Sequence, residues 1–416
     1  MSKKVKDNSV PRKPSKFIYN FLVFIINILS KILVKFEMKR DPKIKELKGP
    51  IVCLGTHLAV LDVVTMMKSM NKYRKLNIVV GRDVMSWSVF KPIAKKLGFI
   101  PMSQFGLDLS SVRVITKAIK EGRSIALFPE GKISLDGQNL HYISPSIAKF
   151  LKMIGANVVF AHNYGGYCNN PKWSSGFRKG KMTHTIKVLF TADELKEKNV
   201  EDINSIIQDC FSFNENKYQQ ENKLKYKSKS PAKGLDYILY KCPKCMAEYE
   251  NQTDDRHIFC NKCGNKVEYT EYGQLVPEGE SVTFGRIDIW YDWQRECIRK
   301  ALDDKDFQIT KEVEWFKMDN EINKYAKSGE GKLSITYDNI EFNGKDMEGK
   351  DISLVCPLEN QVAIIQKKKE GVDLTLENEI NRFMFIEKKY SAKYNQIVEE
   401  IFRKRHSLPA RGEKLG

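Results

Sequence analysis

The chain has 416 residues, 42% of them hydrophobic, and a formal net charge of +18. This length excludes a single ordinary hydrophobic core and predicts about two to four domains. The hydrophobic content is typical of a globular protein. The excess of Lys and Arg points to an anionic partner, either nucleic acid or an acidic membrane surface.

The nine cysteines do not form the framework of a disulfide-stapled protein. Four lie together in one segment, and the other five stand singly as Cys53, Cys168, Cys210, Cys297 and Cys356. This distribution indicates free thiols in a reducing cytosol.

The amino-terminal segment is both basic and apolar. Residues 1–48 carry 13 basic and 4 acidic side chains, which is half of the net charge. Within them lies FIYNFLVFIINILSKILVKF (residues 17–36). Asn20 and Asn27 interrupt its apolar run, and Lys31 and Lys35 follow that run, so the segment is marginal for spanning a bilayer. A basic amphipathic helix in the membrane interface fits better, although a core helix is an alternative. No A-x-A-like cleavage site follows. We expect residues 1–44 to bind the cytoplasmic face of a membrane, peripherally or as a single anchor.

Short apolar runs alternate with helical patterns between residues 45 and 213. The predicted strands are IVCLGT, LNIVVG, GFIPM, SIALFPE, NVVFAHNY and THTIKVLF. Between them, apolar residues recur three and four positions apart, as in amphipathic helices. This alternation predicts a layered α/β domain with a mostly parallel sheet.

The rest of the chain changes character several times. Residues 214–234 are polar and predict a linker, and the cysteine group follows at 235–272. We expect a helical connector over 273–327. Residues 328–408 contain several short strand patterns and one amphipathic C-terminal helix, and in element order they resemble a pleckstrin-homology-like or GRAM-type module.

The grouped cysteines have the spacing of a metal site. Cys242 and Cys245 form one C-x2-C pair, and Cys260 and Cys263 form a second pair after fourteen residues. Four thiolates at this spacing are typical of a tetrahedral Zn²⁺ ribbon, in which the closed shell makes the ion structural rather than catalytic. His257 could in principle replace a ligand. Zinc ribbons also bind nucleic acid or protein, but this segment lacks the dense Arg and aromatic surface of nucleic-acid readers.

Two strand ends carry candidate catalytic residues. His57 follows the first predicted strand, and Asp62 follows it in an H-x4-D spacing. Alone this pattern is weak, because His57 could be a loop residue and Asp62 a helix N-cap. However, another strand ends in F-P-E-G, and open α/β sheets place ligand sites at such strand ends. A polar pocket suited to general-base chemistry on a hydroxyl is therefore expected.

The pairing of H-x4-D with F-P-E-G, 73 residues apart, resembles the PlsC-type glycerolipid (lysophosphatidic acid-like) acyltransferase family over about residues 45–212. GFIPM and NVVFAHNYGGY stand where the second and fourth motifs of that family lie. The resemblance implies transfer of an acyl group from acyl-CoA or acyl carrier protein to a lipid hydroxyl, in phospholipid biosynthesis or remodelling. It implies His57 as the general base and Asp62 as the acceptor from its other ring nitrogen. No nucleophile is needed, and Cys53 is expected in the core.

The resemblance also implies an acceptor-binding strand end, formed by Phe128, Pro129, Glu130, Gly131 and Lys132. The acceptor is expected to be a lysophospholipid or a related glycerolipid, bound at an anionic membrane surface.

The chain departs from the family where arginines usually hold the acceptor's phosphate. Ile133 stands at one such position and Gln104 at another. Another lysolipid or a glycolipid could then be the acceptor. Alternatively, another basic side chain could substitute, and the candidates are Lys132, Arg113, Lys117 and Arg123.

The missing arginines also leave a second class of function open. In this alternative the protein is a non-catalytic adaptor, whose zinc ribbon and C-terminal module bind protein or nucleic acid beside a vestigial acyltransferase fold.

Overall fold

The structure is a computed structural model, and it describes residues 11–86, 90–105, 108–139, 142–319, 324–367, 370–376, 379–387 and 389–411. The first ten residues of the basic segment therefore lie outside the described residues. The chain forms two compact units. The first contains most of the chain up to residue 215, and the second contains residues 135–137, 171–177 and those from 216 onward.

The elements of the first unit and of its junction with the second follow in chain order. They are α1 (Lys16–Leu33), β1 (Lys35–Arg40), a 3-10 helix (Pro42–Glu46), β2 (Ile51–Gly55), α2 (Leu61–Met70), β3 (Leu76–Gly81), a second 3-10 helix (Arg82–Ser86), α3 (Phe90–Lys96), β4 (Ile100–Met102), α4 (Leu109–Lys120), β5 (Ser124–Leu127), α5 (Ser146–Ile154), β6 (Asn157–Tyr164), α6 (Gly166–Asn169), β7 (Lys181–Phe190), α7 (Ala192–Glu197), α8 (Val200–Cys210) and α9 (Glu215–Glu221).

A seven-stranded sheet of order β1-β7-β6-β2-β5-β3-β4 organises the first unit. Its neighbouring strands run parallel, except for the antiparallel pair β6 and β7. The predicted mostly parallel α/β domain is confirmed. Strand β1, KFEMKR, lies outside the predicted strands because charged residues interrupt its apolar ones, and its pairing with β7 is a long-range contact.

Helices cover both faces of this sheet. In β2, Ile51 and Cys53 point to a core with residues of α1, α2 and α3, whereas Val52 and Leu54 point to a core with residues of α4, α5, α7 and α8. A continuous apolar run is what a parallel strand buried on both faces requires. The carboxyl end of β2 therefore lies in the middle of the sheet edge, between those of β5 and β6.

The elements of the second unit are α10 (Leu235–Ile238), β8 (Asn251–Thr253), β9 (His257–Cys260), β10 (Lys266–Tyr269), β11 (Leu275–Pro277), α11 (Ile287–Ala301), β12 (Gln308–Asp319), β13 (Lys324–Thr336), β14 (Asn339–Asp346), β15 (Asp351–Pro357), β16 (Ile365–Lys367), β17 (Gly371–Leu376), β18 (Glu379–Phe385) and α12 (Ser391–Arg405).

The second unit contains two antiparallel sheets. The small one has the order β11-β10-β9-β8, and the large one has the order β15-β14-β13-β12-β18-β17-β16. Apolar residues of the large sheet share one core with α11 and α12. The predicted C-terminal β-rich module is therefore present.

Two segments of the second unit differ from the expected boundaries. Strand β12 lies in the range 273–327, where we expected a helical connector, and it alternates buried Val313 and Trp315 with glutamates. This alternation suits a strand paired on both sides, with β13 and β18. The expected linker, 214–234, is packed rather than extended, since Tyr226 is buried.

Candidate active site and cysteine cluster

His57 and Asp62 lie where the turn between β2 and α2 brings them together. His57 follows β2 by two residues, and Asp62 occupies the first turn of α2. The distance from His57 Nδ1 to Asp62 Oδ2 is 3.5 Å. This exceeds an ordinary N–H···O hydrogen bond, as is common at catalytic pairs before substrate binds. The imidazole is partly exposed and the carboxylate is buried, which leaves the ring open to a substrate.

Asp62 is held by two donors besides its contact with His57. The backbone N–H of Ala59 donates to Oδ2 at 2.7 Å, and Asn163 Nδ2 donates to Oδ1 at 2.6 Å. The carboxylate plane is thereby fixed with Oδ2 toward the imidazole. Asn163 was not among the residues singled out from the sequence.

Glu130 lies at the end of β5 and fastens this strand end to the His57 turn. Its Oε1 accepts from the His57 backbone N–H at 2.6 Å and from Asn139 Nδ2 at 2.9 Å. In the other direction, the Ser134 N–H donates to the His57 carbonyl at 3.0 Å. Burial raises the pKa of the Glu130 carboxyl to about 8. Its Oε2 has no hydrogen-bond partner among the described residues.

Among the other residues of the F-P-E-G strand end, Phe128 lies against the imidazole. The Phe128 ring centroid lies 4.8 Å from that of His57, and Pro129 and Lys132 are partly exposed after β5. Gly131 has φ of +69°, and a Cβ there would lie 3.0 Å from the Phe105 ring. Both facts explain a glycine at this turn.

The two positions that lack the family's arginines have other roles here. Gln104 donates from Nε2 to the Gly131 carbonyl and so supports the turn after Glu130. Ile133 is partly buried. Neither offers a charge to an acceptor phosphate.

The proposed basic substitutes are not equally placed. Arg123 precedes β5, at the opposite end of that strand from Glu130, and it pairs with Glu121. Arg113 and Lys117 are exposed on α4. A further candidate, Arg82, follows β3 directly at the same sheet edge as His57, with Nη2 3.0 Å from Asp108 Oδ2. A basic residue directly after a predicted strand was the signal that could have identified it.

A second histidine of the sheet is buried behind the turn. His162 Nδ1 lies 2.8 Å from Thr56 Oγ1, and its Nε2 lies 3.8 Å from Glu215 Oε1. Burial lowers the pKa of His162 to about 4 and raises that of Glu215 to about 8. Both side chains are therefore neutral near pH 7, and both are buried, whereas His57 is partly exposed.

The four cysteines of the ribbon converge as the spacing predicted. Their sulfur atoms lie within 4.8 Å of one another, with Cys242 and Cys263 at 3.6 Å and Cys245 and Cys260 at 3.8 Å. Four thiolates about 2.3 Å from a tetrahedral Zn²⁺ stand about 3.8 Å apart, so the sulfur atoms fit such an ion.

The two C-x2-C turns have the same backbone form. In each, the N–H of the residue after the second cysteine donates to the carbonyl of the first cysteine, at 3.0 Å for Met246 and 2.9 Å for Gly264. Both residues have positive φ. His257 is not aimed at the sulfur atoms, since its ring nitrogens lie 3.0 Å from Asp254 and 2.9 Å from Glu278.

Comparison with known proteins identifies the domain that carries the dyad. Residues 34–159 match the model of the acyltransferase family, described simply as Acyltransferase. This range contains His57, Asp62 and the F-P-E-G strand end, so the expected resemblance to an acyltransferase is confirmed for this part of the chain. No curated protein matches the chain in sequence.

Two solved structures match parts of the chain. The 1-acyl-sn-glycerophosphate (LPA) acyltransferase PlsC from Thermotoga maritima is 14% identical, with a TM-score of 0.39 over 47% of this chain and 79% of that chain. The Ran-binding domain of the nuclear complex component Nup2 from Ashbya gossypii is 9% identical, with a TM-score of 0.19 over 24% of this chain and 95% of that chain.

Proposed function

We propose that the protein is a membrane-associated O-acyltransferase, which moves a fatty acyl group from a thioester to a hydroxyl of a lysophospholipid or related glycerolipid. The observation that carries this proposal is the partly exposed His57, which faces Asp62 at a sheet edge inside an acyltransferase-family domain. The thioester donor is acyl-CoA or acyl carrier protein.

The dyad supplies general-base catalysis. With Nδ1 turned to Asp62, His57 has Nε2 available to take the proton of the acceptor hydroxyl. The acceptor oxygen attacks the thioester carbonyl, the carbon–sulfur bond breaks, and the thiolate receives the proton from the imidazolium. Asp62 stabilises that imidazolium while it exists. A cysteine nucleophile is not part of this scheme, since Cys53 is buried in the sheet and burial raises the pKa of its thiol.

The acceptor site is the F-P-E-G strand end beside the imidazole. Phe128 provides an apolar wall, and Lys132 and Arg82 provide positive charge at the same edge. Because Gln104 and Ile133 replace arginines of the family, we propose an acceptor whose phosphate is held less tightly than that of lysophosphatidic acid.

Helix α1 supports the membrane association. Its length and composition would suffice to cross a bilayer. However, one face packs in the domain core, where the Tyr19 hydroxyl donates to the Met67 carbonyl at 3.3 Å. The other face exposes large apolar side chains, namely Phe17, Phe21, Phe24, Ile28, Leu29 and Ile32. We therefore propose that α1 lies in the interface of the cytoplasmic leaflet, with the domain bound peripherally.

The cysteine cluster is proposed to hold Zn²⁺ as a structural ion. Cys242, Cys245, Cys260 and Cys263 would be its ligands, and their binding energy would stabilise the small β8–β11 sheet.

Acyl transfer by purified protein tests the proposal. Labelled acyl-CoA or acyl carrier protein is incubated with a panel of lysolipids and glycolipids in vesicles. The parent should transfer the label, and His57→Ala should lose about a hundredfold or more of the rate, because the general base is gone. His406→Ala, in the second unit, is the control and should keep the rate. Absence of transfer to every acceptor by folded protein would contradict the proposal.

The neutral residues at positions 104 and 133 favour one alternative, the non-catalytic adaptor. In that case a bound protein or nucleic acid partner would be retained equally by the parent and by His57→Ala, and neither would transfer label.

A further inference from the structure

Asn163 and His184 form a polar pair on neighbouring strands behind the dyad. They are direct cross-strand partners in the antiparallel register of β6 and β7, and both are buried. Asn163 Nδ2 lies 2.6 Å from Asp62 Oδ1 and 2.8 Å from Thr65 Oγ1. Asn163 Oδ1 lies 2.7 Å from His184 Nδ1. One amide thus connects the carboxylate of the dyad to a second imidazole.

The chemistry of the partners fixes the direction of each hydrogen bond. An ionised carboxylate only accepts, so the Asn163 amide must present its NH₂ group to Asp62. Its carbonyl oxygen then faces His184, and the hydrogen in that contact must be on His184 Nδ1. Burial lowers the pKa of His184 to about 3, so the ring is neutral near pH 7 and its Nε2 carries no proton.

We propose that Asn163 is a positioning residue for the dyad, and that His184 keeps its amide in the required orientation. A reversed amide would turn its oxygen toward the carboxylate, which the His184 donor disfavours. With Oδ1 occupied by Asn163 and Oδ2 by the Ala59 N–H, Asp62 cannot rotate its carboxylate away from His57. This inference rests on the proposed function of the dyad.

Asn163→Asp tests the inference through pH. Two carboxyls at this distance cannot both ionise easily, so one pKa of the pair rises strongly. While one proton remains, the new carboxyl donates to Asp62 as the amide does. When this proton is lost at higher pH, the two carboxylates repel each other and Asp62 is displaced. The ratio of the variant's kcat to that of the parent should therefore fall about tenfold or more as pH rises from acidic to mildly alkaline. KM should stay unchanged, because the proposal places neither residue on substrate.

Other titratable groups surround the pair and titrate in both proteins. Those acting on Asp62 are His57, Glu130, His162 and Glu215, and those acting on His184 are His162, Arg40 and Lys68. Comparing variant with parent at each pH removes their common contribution.

Asn157→Asp is the matched control. Asn157 is a buried asparagine at the start of the same strand, and it bonds the Lys48 carbonyl at 2.7 Å and the Ala192 N–H at 3.0 Å rather than a carboxylate. The ratio of the kcat of Asn157→Asp, per folded molecule, to that of the parent should not fall as pH rises. Asn163→Leu removes the donor without adding a charge and should lower kcat about tenfold or more at every pH.

A readout independent of turnover separates this inference from the proposed function. Nitrogen NMR of the histidines, with His57 assigned by its loss in His57→Ala, reports which ring nitrogen carries the proton. The parent should hold neutral His57 with hydrogen on Nδ1, and Asn163→Leu should show a mixture of tautomers. If the parent transfers no acyl group but the tautomer of His57 still differs between the parent and Asn163→Leu, the proposed function is refuted and the positioning role is not. A flat kcat ratio, or an unchanged tautomer in Asn163→Leu, would overturn the positioning role.

Discussion

Replacement of Glu130 by glutamine should reverse its effect on stability between acidic and alkaline pH. Burial raises the pKa of this carboxyl from 4.5 to about 8 in the folded protein. Between these two pH values, the folded protein therefore keeps the proton of Glu130, which the unfolded chain has lost. The stability associated with Glu130 is complete below pH 4.5 and declines until about pH 8.

The size of the effect follows from these two pKa values. At about 1.4 kcal/mol for each pH unit, ionisation of the unfolded chain lowers the free energy of unfolding by up to about 5 kcal/mol near pH 8. The glutamine side chain would not titrate, but its NH₂ group carries one hydrogen more than the protonated carboxyl. This additional buried donor, where Oε2 of Glu130 lacks a described partner, costs about 1–3 kcal/mol. Glu130→Gln should thus be less stable than the parent near pH 5 and about 2–4 kcal/mol more stable near pH 8.

Urea unfolding, followed by circular dichroism between about pH 5 and pH 8, measures this difference. Glu121→Gln is the control, because Glu121 is exposed at the end of α4 rather than buried. A difference between Glu130→Gln and the parent that stays constant over this range would refute a neutral, buried Glu130.

Three further predictions concern other parts of the chain. The parent should contain one zinc ion per chain, measured by atomic absorption, and Cys260→Ser should contain less. A variant that retains the full zinc content would contradict the proposed ligand set. Phe24→Asp, on the exposed face of α1, should lower the affinity for anionic vesicles, measured by sedimentation, about tenfold or more. Val355→Asp, at an exposed apolar residue of β15, should leave that affinity unchanged. Ile133→Arg should favour a phosphomonoester acceptor over a neutral one about tenfold in kcat/KM, with Met153→Arg, exposed on α5, as the control.

The sequence predicts those parts of the fold whose residues are chemically uniform. The central strands are recognisable because IVCLG and IAL are continuous apolar runs, buried on both faces. In contrast, β1 depends on its partner β7, and its own residues alternate between charge and apolar side chains. Because β7 lies about 146 residues away, this pairing cannot be read from the local sequence.

The same distinction applies to the candidate site. His57 and the F-P-E-G strand end could be brought together from the sequence, because parallel neighbours end at one edge of a sheet. Asn163 could not, since it lies inside the apolar run of β6 and reaches Asp62 across 101 positions of the chain. Only the packing of β6 against α2 reveals what its amide contacts.

The two hydrogen bonds that the His57 backbone makes with residues after β5 bear on how the proposed acceptor selectivity can change. His57 donates to Glu130 and accepts from Ser134, so these hydrogen bonds couple the proposed base to the turn proposed to line the acceptor site. Remodelling residues 131–134 for a new acceptor would therefore also displace the imidazole. If the proposed acceptor site is correct, substitutions at Arg82, which belongs to a different strand end, should alter recognition of acceptor charge and leave the His57 imidazole in place.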